Sequence, residues 1–179
     1  MKEQLLKPCI LVAEDDVITS AITTKTLENI GYQVLTAANG REAIEVCYEH
    51  HPQIILMDAS MPELDGFEAC HQIKQSEDEN ISNIPIIMVT ALEDDEAIDK
   101  AFSAGAEDYI PKPVNWHILE HRLDVLIKKI QAEKFLRENE ERFHAIADSA
   151  NDAIISVNDL GFVTFWNHAA SRVFGYVES

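Results

Sequence analysis

Short apolar runs alternate with stretches of helix length over the first two thirds of the chain. The runs are CILVA (9–13), YQVLTA (32–37), QIILM (53–57), PIIMVT (85–90) and DYIP (108–111). They are mostly uninterrupted rather than alternating, which is typical of strands that are covered on both faces. A strand-then-helix pattern repeated five times indicates a parallel sheet with helices on both faces.

The stretches between the runs carry signals for where helices begin and end. Gly31 follows VITSAITTKTLENI and is a good C-terminal stop, while Asn39 with Glu42 resembles a capping box that opens GREAIEVCYEHH. EDDEAIDKAFSA has acidic residues in its first turn, where the helix dipole favours them, and Gly105 lies just past its end. Each of these stretches therefore predicts a helix with its own boundaries.

From Asn115 onward the chain contains no Gly or Pro for more than thirty residues, far longer than an average globular helix. Apolar residues recur on one helical face in two series, Leu119, Leu123, Leu126 and Ile130, then Leu136, Phe143, Ile146 and Ala150. A helix packed on its own sheet accounts for this pattern up to about Ile127. Beyond that point the helix outruns a domain of this size, so we predict a two-stranded coiled coil and a homodimer formed through it.

The end of the chain has a different pattern. NDAIISVNDLGFVTFWNHAASRVFGYVES (151–179) predicts a strand, a turn, a second strand and a short helix. About thirty residues cannot bury a core alone, so this stretch is interpreted as the beginning of a further domain.

Composition narrows the class of protein. A length of 179 residues suits one domain plus a smaller part, and 14 basic against 32 acidic residues give a formal charge of -18. That charge argues against binding to nucleic acid or to a membrane surface, since both select for basic patches.

Cys9, Cys47 and Cys70 are too far apart in sequence to suggest a metal site. No signal peptide and no apolar run of about 18 residues is found, so we expect a cytoplasmic protein.

Acidic side chains follow two of the predicted strands. Glu14, Asp15 and Asp16 come after the first strand, and Asp58 comes directly after the third run. In an open parallel sheet, sites lie at the carboxyl ends of the strands where the strand order reverses, so these acids should converge. Carboxylates held together repel one another, and a hard cation such as Mg²⁺ with carboxylate and water ligands relieves the repulsion. We interpret Asp16 as the cap of the first helix.

Two further residues suit phosphoryl chemistry at the same edge. The fourth strand ends on Thr90, and Lys112 follows the fifth. A lysine ammonium suits one phosphoryl oxygen and a threonine hydroxyl can donate to another. Taken singly, these residues are explained as a helix cap, a surface lysine or a strand residue. Their joint placement predicts that Asp58 accepts a phosphoryl group.

Four motifs, ILVAEDD, ILMDASMPELDGFE, PIIMVTA and AGAEDYIPKP, occur here in this order. Through them, residues 9 to about 128 resemble the receiver domain of bacterial two-component response regulators. The resemblance implies a flavodoxin-like, doubly wound (βα)5 fold with strand order 2-1-3-4-5. It also implies that a sensor histidine kinase is the partner that phosphorylates the domain.

The resemblance assigns roles to individual residues. Asp58 matches the phosphoacceptor, Glu14 and Asp15 the acidic pair that orients Mg²⁺, and Ser60 the residue whose backbone carbonyl contacts the metal. The remaining matches are Thr90 as the switch hydroxyl, Lys112 as the site lysine and Tyr109 as the aromatic that turns inward on activation. Glu14 stands where Asp is commoner in the family. The helix after the Lys112–Pro113 turn is expected to transmit the change, and Trp116 at its start is interpreted as a packing residue.

Other classes of protein fit less well. A haloacid-dehalogenase-type phosphatase needs a second acid two residues after the nucleophile, where this chain has Ser60. A dinucleotide-binding oxidoreductase lacks its G-x-G-x-x-G after CILVA. A pseudo-receiver that dimerises without phosphorylation stays an alternative.

RFHAIADSANDAIISVNDLGFVTFWNHAASRVFGY resembles the opening of a PAS sensor domain. The landmarks of that family fall on Asp152, Gly161, Trp166, Asn167 and Phe174 to Tyr176. The expected organisation is a receiver domain at 1–128, a helical linker or coiled coil at 129–147, and an N-terminal PAS fragment at 148–179. No haem or flavin is expected on so short a fragment, and an amphipathic hairpin extension remains the alternative.

Overall fold

A parallel sheet forms the centre of the N-terminal part of this computed structural model, which describes residues 7–91 and 95–175 apart from the side chains of Asp95 and Ala97. Its strands are β1 (Cys9–Ala13), β2 (Gln33–Ala37), β3 (Ile54–Asp58), β4 (Ile86–Thr90) and β5 (Asp108–Pro111). All neighbouring strands are parallel and their order is β2-β1-β3-β4-β5. The predicted doubly wound fold is confirmed.

Helices connect the strands. They are α1 (Val17–Ile30), α2 (Gly40–His50), α3 (Gly66–Lys74), the short α4 (Glu79–Ser82), α5 (Asp95–Ser103) and α6 (Trp116–Ser149). The backbone N–H of Thr19 donates to the Asp16 carboxylate at 2.7 Å, so Asp16 caps α1 as predicted. Gly31 ends that helix with a φ of 114°, a left-handed conformation that suits glycine. The sequence pattern did not predict α4, which has only four residues.

Both faces of the sheet are buried. Residues that alternate along β1, β3 and β4 pack with α2 and α3 in one cluster, which includes Leu11, Ile55, Met57, Ile86, Met88, Cys47 and Ile73. The other set of alternating residues points to the opposite face, and Ile10, Val12, Ile54, Leu56 and Ile87 are likewise buried. Burial on both faces explains why these strands are uninterrupted apolar runs.

The three cysteines are free thiols. Burial raises the pKa of Cys47 to about 12 and that of Cys70 to about 11. Thiols with a raised pKa form little thiolate at neutral pH, so these two side chains act as small apolar residues in the packing.

The chain divides into two compact units, Met1–Lys128 and Lys129–Ser179. The second contains the end of α6, the antiparallel strands β6 (Ile155–Val157) and β7 (Val163–Trp166), and α7 (His168–Phe174). The order strand, turn, strand, helix is as predicted, whereas Tyr176 lies outside the described residues.

A buried asparagine organises the second unit. The Asn167 side chain is fully buried, and its Nδ2 donates to the carbonyl oxygens of Ala147 at 2.7 Å and Asp152 at 3.0 Å. Its Oδ1 accepts from the backbone N–H groups of Ile154 and Ala170, each at 2.9 Å. One side chain therefore joins the last turns of α6 to the hairpin and to the start of α7.

The long helix α6 is continuous from Trp116 to Ser149. Asn115 precedes it, and its side-chain oxygen accepts from the N–H groups of His117 and Ile118. The buried positions of its first half are Leu119, Leu123 and Ile127, whereas Leu126 and Ile130 of the predicted series are half-buried. In the part of the chain that the structure describes, no helix has the length and apolar character needed to cross a membrane.

Candidate functional site

The ends of β1 and β3 bring the predicted acids together. Ala13 and Met57 are register partners in these adjacent parallel strands, so Glu14 and Asp58, the next residue along each strand, lie at the same edge. Carboxylate oxygens of Glu14, Asp15 and Asp58 all lie within 4.8 Å of one another. Glu14 and Asp58 are buried, while Asp15 is exposed at the rim. The site is thus a mostly buried acidic cluster that opens to solvent on one side.

Lys112 reaches this cluster from the end of β5. Its Nζ donates to Asp58 Oδ2 at 2.7 Å and to Glu14 Oε2 at 2.9 Å. The backbone fixes the position of Lys112, since its N–H donates to the carbonyl oxygen of Thr90 at 2.7 Å. The ammonium therefore bridges the two buried carboxylates.

The charges in the cluster shift the pKa values of two groups. Burial raises the pKa of Glu14, the hydrogen bond from Lys112 offsets only part of this rise, and the nearby charge of Asp58 adds to it. Burial would lower the pKa of Lys112, but its hydrogen bonds to Asp58 and Glu14 outweigh that effect and the pKa is raised. One lysine thus faces three carboxylates, and the surplus of negative charge together with hard oxygen donors fits a divalent cation such as Mg²⁺.

The backbone after Asp58 orients its carboxylate. The N–H of Ser60 donates to Asp58 Oδ1 at 3.1 Å, so each carboxylate oxygen has a donor of its own, Ser60 for Oδ1 and Lys112 for Oδ2. The predicted role of Ser60 concerned its carbonyl oxygen, and that role stays a prediction. The observed contact of Ser60 instead holds the carboxylate in place.

Gly66 is a site residue that the sequence motifs did not predict. A Cβ at this position would lie 2.0 Å from the Asp58 carbonyl oxygen and 3.0 Å from Cγ of Met57. Its N–H donates to the carbonyl oxygen of Ala59 at 3.1 Å. The first turn of α3 therefore packs directly on the backbone of Asp58, which only glycine permits. The Asp65-Gly66 pair, a helix cap followed by glycine, was the available signal.

The predicted switch residues lie on the two neighbouring strands. Thr90 is buried and pairs in register with Pro111, the residue before Lys112, which places it at the same edge of the sheet. Tyr109 is half-buried, and its ring meets that of Phe102 edge-to-face with centroids 6.1 Å apart. The roles of Thr90 and Tyr109 in switching stay predictions.

The sequence matches two families. Residues 10–124 match the response regulator receiver domain, and residues 141–179 match the PAS domain. The first match contains every residue of the acidic cluster and Lys112.

Individual relatives agree with the family match. The chain is 36% identical over 128 residues to the probable transcriptional regulator ycf27 of Cyanophora paradoxa, an alignment that covers 72% of this chain and 52% of that protein. The chain thus spans about half the length of the curated relatives that it matches.

Solved structures are similar as well. The receiver domain of the Francisella response regulator 1452 superposes with a TM-score of 0.64 at 27% identity, covering 69% of this chain and 99% of that one. The receiver domain of a sensor histidine kinase from Pseudomonas aeruginosa PAO1, with a magnesium ion coordinated in its active site cleft, has a TM-score of 0.63 at 30% identity, covering 68% and 98%. Fold, motifs and relatives agree: this chain belongs to the response regulator receiver domains, which are signalling modules of two-component systems, and its residues 141–179 match the PAS domain.

Proposed function

We propose that this chain is a cytoplasmic phosphoacceptor that receives a phosphoryl group on Asp58 from a sensor histidine kinase, with Mg²⁺ as cofactor. The observation that carries the proposal is the bridge of Lys112 Nζ to Asp58 and Glu14, at 2.7 and 2.9 Å, inside the acidic cluster. The organisation proposed with it is a receiver domain at 1–128, a helical linker at 129–147 and a PAS fragment at 148–179.

The chain's own residues prepare the transfer. Asp58 is held at both carboxylate oxygens, by the N–H of Ser60 and by Lys112, so one orientation is fixed before a donor arrives. In the reaction an Asp58 oxygen bonds to phosphorus and the bond between phosphorus and the donor breaks. Lys112 and the Thr90 hydroxyl would stabilise charge on the phosphoryl oxygens.

The acidic cluster supplies the cofactor ligands. Glu14, Asp15, Asp58 and the carbonyl oxygen of Ser60 would hold Mg²⁺, and three carboxylates within 4.8 Å of one another form the hard-oxygen donor set that this ion prefers. When bound, the ion neutralises negative charge on the transferred group. The chain assists its own phosphorylation and dephosphorylation in this way, although its role is that of a signalling protein.

The first turns of α1 offer a docking surface for the kinase. Val17, Ile18 and Ile22 are 80%, 70% and 54% exposed, and Val17 directly follows Asp15 and Asp16. Ile18 and Ile22 are four residues apart and share one face of the helix, which suits contact with a helix of the partner. Ile22→Asp should therefore slow phosphorylation by the kinase and leave phosphorylation by acetyl phosphate unchanged.

Phosphorylation would act on β5 and α6. Asp108, the neighbour of Tyr109, forms an ion pair with Arg122 of α6, so the strand that carries the switch aromatic is tied to the proposed output helix. A phosphoryl group adds charge and acceptor oxygens that favour one of two packings of this region. The exposed apolar residues of the second half of α6 support a homodimer through that helix, and the PAS segment is proposed to receive the signal.

Labelling with acetyl phosphate and Mg²⁺ tests the proposal. The wild-type chain should take up acid-labile phosphate, and Asp58→Asn should abolish the uptake. Asp65→Asn is the matched control, because asparagine also caps a helix and the Asp65 side chain accepts from the N–H of Glu68 at 2.8 Å. Label retained in Asp58→Asn would contradict the proposal. A wild-type chain that takes no label yet dimerises would support the pseudo-receiver alternative.

A further inference from the structure

A small cavity lies between the acidic site and the first turn of α6. Its volume is about 20 Å³, room for a single water molecule. The lining residues that matter here come from three directions: Glu14 and Asp58 at the strand ends, Thr23 on α1, and Val114, Trp116 and Leu119 on the segment after Lys112.

The first turn of α6 presents one face to this cavity. Trp116 and Leu119 are three residues apart and therefore share a side of the helix. Leu119 is 2% exposed and Trp116 is half-buried, whereas His117 and Ile118 between them are exposed. Trp116 is also the first residue of the helix, four positions after Lys112. The indole thus lies where the site and the helix meet.

A rearrangement of the Glu14 and Asp58 side chains must displace other atoms that line so small a cavity. Lys112 now bridges Asp58 and Glu14, and a phosphoryl group on Asp58 requires the ammonium and both carboxylates to rearrange. Protein interiors are close-packed and compress little, so a cavity with room for one water cannot absorb such a displacement. The largest side chain that lines the cavity is Trp116.

We propose that Trp116 is a positioning residue that couples the phosphorylation state of Asp58 to the start of α6. This inference rests on the proposed function and adds a route that does not pass through Tyr109. The Tyr109 ring packs on Phe102 of α5, whereas Trp116 and Leu119 belong to the output helix itself. The indole transmits movement of the carboxylates to α6 by direct packing.

Fluorine NMR of the unsubstituted chain tests the coupling. The sequence has two tryptophans, Trp116 and Trp166, so labelling with 5-fluorotryptophan gives two signals that Trp166→Phe assigns. Beryllofluoride with Mg²⁺ serves as the phosphoryl mimic, and we expect it to shift the Trp116 signal. An unchanged Trp116 signal in protein that has bound the mimic overturns the inference.

Substitution provides the second test. Trp116→Ala should take up phosphate from acetyl phosphate as the wild type does, while the phosphorylation-dependent change in hydrogen exchange over residues 116–127 falls by about threefold to thirtyfold. Trp116→Phe should retain part of the change. His117→Ala is the matched control, since His117 is exposed on the same turn and should respond fully.

Two results distinguish a failure of the inference about Trp116 from a failure of the proposed function. A Trp116→Ala chain that gains phosphate and shows the wild-type change in exchange overturns the inference alone. A wild-type chain whose mass shows no added phosphoryl group contradicts the proposed function and removes the inference with it. If Trp116→Ala does not fold, the NMR measurement on the unsubstituted chain decides.

Discussion

The two halves of α6 have similar apolar patterns and opposite surroundings. In the first half Leu119, Leu123 and Ile127 are 2%, 0% and 7% exposed. In the second half four large apolar side chains are at least half exposed, namely Phe135, Leu136, Phe143 and Ile146. The apolar periodicity of a helix therefore identifies the face that is apolar. It does not identify the element or partner that packs on that face. The first half packs within the receiver unit, whereas Phe135, Leu136 and Ile146 of the second half are largely exposed.

The largest loss of stability is expected in the first unit, at Gly66, which packs on the backbone of Asp58. Gly66→Ala places a Cβ 2.0 Å from a backbone oxygen, and this overlap should cost about 4 kcal/mol or more of unfolding free energy. Gly31→Ala is the control, because a Cβ there meets nothing within 4 Å and only the φ of 114° is unfavourable, a cost of about 1 to 2 kcal/mol. Urea unfolding followed by circular dichroism measures both. Equal losses for the two variants would contradict the packing argument.

The contrast between the halves of α6 is itself open to test. Leu123→Ala should lower the unfolding free energy by about 3 kcal/mol, because it leaves a cavity at a fully buried position. Leu136→Ala, at a position 60% exposed, should change stability by less than about 0.5 kcal/mol. It should instead weaken self-association about tenfold in analytical ultracentrifugation. Unchanged self-association would remove Leu136 from the proposed dimer contact.

In the second unit the substitution expected to cost the most stability is at a polar residue, Asn167. Asn167→Asp replaces the Nδ2 donor to the carbonyl oxygens of Ala147 and Asp152 with an acceptor oxygen at a fully buried position, which should cost about 2 kcal/mol or more. Asn158→Asp is the control, since Asn158 uses its side-chain oxygen to accept from the N–H groups of Leu160 and Phe162. Hydrogen exchange over residues 154–170 should rise in Asn167→Asp and stay unchanged in Asn158→Asp. A rise of equal size in both would contradict the assignment.

The smallest effect concerns pH. The pKa of Glu14 is raised above its ordinary 4.5 in the folded state, so the folded chain binds this proton more tightly than the unfolded chain. Stability without Mg²⁺ should therefore fall as pH rises from 4.5 through the raised pKa. Glu14→Gln should remove that slope, because glutamine does not titrate. Urea unfolding from acidic to neutral pH in EDTA measures it, and identical slopes in the two chains would contradict the assignment.

Much of the receiver unit could be predicted because its signals are local. Uninterrupted apolar runs gave strands whose ends agree within one residue with those observed, as for QIILM (53–57) and β3 (Ile54–Asp58). Strand ends then placed Glu14, Asp58 and Lys112 at one edge, since parallel strands end together. Side-chain caps such as Asp16 were equally readable, because the cap bond spans only three residues.

The features that could not be predicted from the sequence depend on contacts between segments distant in the chain. Gly66 is required because the first turn of α3 packs on the backbone of Asp58, and the Asp65-Gly66 pair signals a helix cap without showing that approach. The buried row of α6 is Leu119, Leu123 and Ile127, spaced four residues apart, whereas the predicted series continued from Leu123 to Leu126 and Ile130. The helix α4 is too short to show any periodicity. The place of Trp116 on the cavity wall is likewise set by β1, β3 and α1 together.

The central claim is that Asp58 is the Mg²⁺-dependent phosphoacceptor, and mapping the phosphoryl group onto peptides tests it most directly. After treatment with acetyl phosphate and Mg²⁺, mass spectrometry should find one added phosphoryl group on the peptide that contains Asp58, and none when EDTA replaces Mg²⁺. A phosphoryl group on a different peptide, or the same labelling of Asp58 in EDTA, would contradict the account.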